Sequence, residues 1–103
     1  MTIIKAAAVQ FSPVLYSREA TVDKVVRRIL ELGELGVQFA TFPETVVPYY
    51  PYFSAVQTPL ELLGGNEHLR LLDQAVTVPS AATDAIGQAA RKAGMVVSIG
   101  VNE

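Results

Sequence analysis

Residues 3–11, Ile3-Ile4-Lys5-Ala6-Ala7-Ala8-Val9-Gln10-Phe11, run almost unbroken in apolar side chains. Such a run predicts a central parallel strand covered on both faces, although its three alanines leave a helix open as the alternative. Ser12-Pro13 ends it. Val22, Val25, Val26, Ile29 and Leu32 then recur at helical spacing, with Asp23, Lys24, Arg27, Arg28 and Glu31 on the opposite face. Ser17 is placed to cap this helix, and Glu19 lies in its first turn, where a negative charge suits the helix dipole. Gly33 and Gly36 are alternative stops. The β-branched and aromatic run over 37–42 reads as a second strand, and it should stop at Pro43, which has no N–H for a ladder. Together these make a βαβ unit, for which a right-handed crossover is expected.

Further along, Thr58-Pro59-Leu60-Glu61 combines a capping box with proline at the first helical position. Gly64-Gly65 interrupts that helix, and Asn66 is placed to cap a further turn reaching about Ala75. Thr77-Val78-Pro79 reads as extended. Ser80 opens a helix whose stripe of Ala82, Ile86, Ala89, Ala90 and Ala93 is thin enough to lie close against a sheet. Arg91 and Lys92 sit in its last turn and Gly94 follows as its terminal glycine. Residues 95–101 predict a third buried strand. The expected class is α/β: a β-α-β-α-(α)-β segment with a mostly parallel sheet, two open edges and one bare face. Parallel sheets are normally covered on both sides, so a larger fold or a partner is expected to complete it.

Composition narrows the class. The 103 residues suffice for one domain or part of one, and half of them are apolar. The mean hydropathy of +0.33 is rich for a small free-standing domain. A formal charge of −2 without a basic run makes nucleic acid and anionic membrane poor partners. The absence of cysteine excludes disulfides, thiolate metal sites and a cysteine nucleophile from these residues. Lys5 interrupts a start too short for a signal peptide, and no apolar run approaches the roughly 20 residues of a membrane helix. A soluble, cytoplasmic protein is expected.

Candidate chemistry centres on Glu44, delivered at the carboxyl end of the second strand, where open α/β sheets place ligands. Burial against Tyr49, Tyr50 and Phe53 would raise its pKa and suit it to accept a proton near neutrality. Capping of the following turn, or pairing with an arginine, is the structural alternative, and position alone does not separate the two. The loop over 48–53 carries two prolines, three tyrosines and Phe53; it can line a pocket for an aromatic or aliphatic substrate or simply seal the core. His68, the single histidine, lies among Glu67 and Arg70 and reads as a surface residue. Neither a G-x-S-x-G elbow, nor a phosphate loop around Gly64-Gly65, nor metal-ligand spacing is present.

Ala7-Ala8-Val9-Gln10-Phe11-Ser12-Pro13, then Phe42-Pro43-Glu44-Thr45 with Val47-Pro48-Tyr49-Tyr50-Pro51-Tyr52-Phe53, then Val78-Pro79-Ser80 and Gly100-Val101-Asn102-Glu103 resemble, in order, the nitrilase branch of the carbon–nitrogen hydrolase superfamily. The resemblance implies an α-β-β-α sandwich, of which residues 1–103 would be the N-terminal segment of a single, incomplete domain. It also implies a Glu-Lys-Cys triad that hydrolyses a nitrile, without cofactor or metal, to a carboxylic acid and ammonia. Glu44 would be the general base for the cysteine thiol; Tyr50 would line the substrate pocket, with Tyr49 and Phe53 as further lining. Homo-oligomers, dimers or spiral filaments, are implied by the same analogy. The departure is that no cysteine is present, and Lys5, Lys24 and Lys92 belong to the first strand and two helices. By itself the segment is therefore expected to be inactive. An amidase or carbamoylase of the same superfamily is the enzymatic alternative, and a non-catalytic module binding through its sheet face is the other.

Overall fold

A computed structural model describes residues 2–103. Strand β1 (Ala6–Ala8) is followed by helix α1 (Arg18–Glu34) and strand β2 (Phe39–Thr41). Three short helices come next: α2 (Phe53–Val56), α3 (Pro59–Gly64) and α4 (Glu67–Asp73). Helix α5 (Ala81–Ala93) and strand β3 (Val96–Ser98) complete the order. The sheet is parallel throughout, in the order β1-β2-β3, with Ala7 opposite Ala40 and Ala40 opposite Val97. This is the expected α/β class, with a parallel sheet and helices between its strands.

The paired strands are shorter than the apolar runs, and β2 rather than β1 is central. Position in a ladder depends on neighbours, not on hydrophobicity, and β1 has one neighbour only. Ile3 and Ile4 stay exposed outside it. Alternation splits the sheet: Ala7, Ala40 and Val97 join the core, whereas Ala6, Ala8, Phe39 and Val96 are exposed on the other side. The expected bare face is present.

The caps explain where the helices lie. The Ser17 side chain accepts from Ala20 N at 3.1 Å. Thr58 and Glu61 make the full capping box: Glu61 N donates to Thr58 Oγ1 at 3.3 Å and Thr58 N to Glu61 Oε2 at 2.7 Å. Two expected caps differ. Asn66 makes no side-chain cap bond, and at α5 Ser80 N donates to Thr83 Oγ1 at 2.9 Å while Ser80 Oγ is buried without a partner among the described residues. Helix α2 starts at Phe53, the last residue of the aromatic loop, where no helix is expected from the sequence.

Helices α1 and α5 pack on each other and on the sheet, burying Val22, Val25, Ile29, Ile86 and Ala89 with Ala40 and Met95. Thr21, fully buried, places its hydroxyl 3.0 Å from Pro48 O and so ties α1 to the loop after β2. Of the two candidate stops, Gly36 takes the left-handed backbone (φ +81°) beyond the helix end, and Gly33 stays helical. A Cβ on Gly33 would stand 2.8 Å from Ala93 Cβ, so its missing side chain lets α1 and α5 touch.

In the complete protein Gly33→Ala is therefore expected to destabilise. Overpacking costs about 1–3 kcal/mol, against at most ~1 kcal/mol gained in helix propensity. Gly87, in α5 with open space beside it, should show the opposite sign on Gly87→Ala. Thermal melts of both variants check the pair; a higher Tm for Gly33→Ala would contradict the packing.

Candidate active-site turn and aromatic cavity

The Glu44 turn is held from both sides by the continuation of β3. Before it, Phe42 N donates to Ser98 O at 2.8 Å. Pro43 ends the ladder, having no N–H, and the chain turns at Glu44 and Thr45. After it, Val47 bridges Val101 in parallel, and Asn102 N donates to Val47 O at 2.9 Å. Thr45 has φ +44°, a left-handed conformation that costs a β-branched residue about 1–3 kcal/mol. Its Oγ1 is buried and unpartnered among the described residues.

Glu44 itself is exposed, which corrects the expectation that Tyr49, Tyr50 and Phe53 would bury it. Among the described residues no hydrogen bond or ion pair engages its carboxylate, so neither capping nor an arginine pair accounts for it. The three aromatic residues instead line a cavity of about 240 Å³, together with Leu15, Tyr16, Tyr52, Val56, Gln57 and Glu67. Tyr49 is drawn into the core at 2 % exposure, edge-on to Tyr16 with ring centroids 5.7 Å apart. Tyr50 stays exposed beside Tyr52, and Phe53 is half-buried at the start of α2. Tyr16 Oη donates to Glu67 Oε2 at 3.0 Å, and the Arg70 guanidinium lies 4.7 Å from the Tyr16 ring centroid. The structure thus brings Tyr49, Tyr50 and Phe53 together without Glu44. A larger cleft of about 370 Å³ runs from Arg18 and Val22 to Thr77 and Ala82, and no residue of the Glu44 turn or the aromatic loop lines it.

Burial pushes the Tyr49 phenol above its ordinary pKa, with Tyr16 and Glu67 adding smaller effects in the same direction. Its hydroxyl, like Gln57 Oε1, has no partner among the described residues. A phenol held neutral by burial contributes stability that is present below the ordinary phenol pKa and lost as pH rises through the folded value. Tyr49→Phe in the complete protein is therefore expected to be neutral, or up to ~1 kcal/mol stabilising, at pH 7. Its advantage should widen above about pH 10. Urea melts at both pH values check this; a loss above 1 kcal/mol at pH 7 would show the hydroxyl to be bonded.

One residue of the turn and one beside it escape sequence reasoning. Thr45 carries no mark of its left-handed backbone. Gly100 does carry one: a lone glycine in a strand pattern signals close backbone approach, and here it lies against Glu44. His68 is exposed. Among the described residues no three of His, Cys, Asp and Glu gather as metal ligands, and no helix is long and apolar enough to cross a membrane.

With a parallel α/β layer, and a carboxylate beyond its central strand that has no partner among the described residues, the chain belongs to the carbon–nitrogen hydrolase family, whose profile matches residues 5–103. It is similar to a protein named Nitrilase 3 from an unknown prokaryotic organism, 85% identical over 103 residues, which are all of this chain and 31% of that protein. It is also similar to a nitrilase of Paraburkholderia phymatum (48% over 101 residues, 98% of this chain and 29% of the relative). A cyanide hydratase of Gibberella baccata is 36% identical over 103 residues, all of this chain and 28% of that enzyme. The chain spans less than a third of the length of each.

Proposed function

We propose that the complete protein is a nitrilase in which Glu44 is the general base. The observation that carries this is the 85% identity to Nitrilase 3 across the whole of the chain. The exposed Glu44 carboxylate supports the role, because it is available to groups outside residues 2–103. In the proposed reaction Glu44 takes the proton of a cysteine thiol contributed by the remainder of the protein. The thiolate adds to the nitrile carbon and the nitrogen is protonated, giving a thioimidate. One water displaces ammonia to leave a thioester, and a second releases the carboxylic acid and returns the thiol. A lysine, also from the remainder, stabilises the charge of the tetrahedral intermediates. Tyr50, with Tyr49 and Phe53, lines the aromatic end of the substrate site. A cytoplasmic homo-oligomer belongs to the same proposal.

The similarity to a cyanide hydratase favours a second reading, in which hydration stops at the amide. Product analysis on the complete protein separates the two. A nitrilase releases one ammonia per nitrile consumed without accumulating amide. Amide accumulation from the nitrile would favour the hydratase, and turnover of amides but not nitriles would point to an amidase or carbamoylase.

A further inference from the structure

The structure assigns Gly100 as a positioning residue for Glu44, acting through the left-handed turn at Thr45; this rests on Glu44 being the general base. A Cβ on Gly100 would lie 2.8 Å from Glu44 Cα, 3.1 Å from Glu44 C and 2.6 Å from Thr45 N. All three are backbone atoms, so no flexible side chain can swing aside. To reach the 3.4 Å of ordinary contact, Glu44 Cα would have to retreat by 0.6 Å, the difference between 2.8 and 3.4 Å.

The turn has little freedom to do this elsewhere. Phe42 N is bonded to Ser98 O on one side and Val47 O to Asn102 N on the other, both from the strand that carries Gly100. Between these anchors Thr45 is already in left-handed backbone, with φ +44°. A displacement is therefore passed to Glu44, whose carboxylate no other described residue holds. Proton transfer needs the base within hydrogen-bond reach of the thiol, and sub-ångström misplacement of a catalytic group costs rate rather than binding.

The test uses the complete enzyme with a nitrile substrate, rates being normalised to the folded fraction from gel filtration. Gly100→Ala is expected to lower kcat by about 10–100-fold with KM within threefold of wild type. A purely structural role would reduce the folded fraction and leave kcat per folded enzyme unchanged, and that result would overturn the assignment. So would a raised KM at unchanged kcat. Glu44→Gln is run alongside. If it turns over normally, the general-base role fails and this inference with it; if it is inactive while Gly100→Ala is normal, positioning alone fails.

Should Gly100→Ala not fold, Thr45 tests the same geometry without adding atoms to the strand. Thr45→Asn tolerates left-handed backbone, whereas Thr45→Gly releases it. Thr45→Asn is expected to retain the higher kcat, and equal or reversed values would overturn the role of the turn.

Discussion

Glu44→Gln in the complete enzyme is expected to lower nitrile turnover by about 10²–10⁴-fold, the range that a positioned general base supplies. The amide matches the carboxylate in shape but cannot accept the thiol proton. Stability should change by no more than ~0.5 kcal/mol, because Glu44 is exposed and has no hydrogen bond or ion pair to lose among the described residues. The split matters, since a residue that served the fold would show the reverse pattern. Ammonia release and a thermal melt on the same preparation read both halves. Activity within threefold of wild type would remove Glu44 from the chemistry.

Residues 1–103 expressed alone are expected to release no ammonia from any nitrile, because they contain no cysteine. On the proposed mechanism, Glu44 without a thiol has no proton to take. The same chain should also associate with itself. Phe39 and Val96, 36% and 65% exposed, stand on the uncovered sheet face, and β1 and β3 are open parallel edges. Sedimentation velocity over a range of concentrations reads the association, and an ammonia assay reads the chemistry. A stable monomer with protected amides would favour an independent binding module, and measurable turnover would contradict the proposed nucleophile.

Local signals carried the helices well. Serine at 17, the Thr58–Glu61 capping box and Gly94 in left-handed backbone (φ +63°) mark boundaries set by backbone hydrogen bonding within a few residues. Sheet order was less legible, because a run such as 3–11 records how apolar a strand is and not how many neighbours it has. The environment of Glu44 is not legible in the sequence for a related reason. Adjacency in sequence to Tyr49 and Phe53 suggests contact, but Thr21 holds the loop at Pro48 and Tyr49 packs on Tyr16, which takes the rings into a cavity that Glu44 does not line. The close approach of Gly100 to Glu44 joins residues more than fifty positions apart, and the isolated glycine was its single trace.

The most direct measurement is the rate of covalent adduct formation in a single turnover. Complete wild-type enzyme and Glu44→Gln would be mixed with nitrile, quenched in acid and read by intact mass. If Glu44 is the base for the attacking thiol, the adduct should form at least 100-fold more slowly in the variant. Adduct formation at the wild-type rate would contradict it.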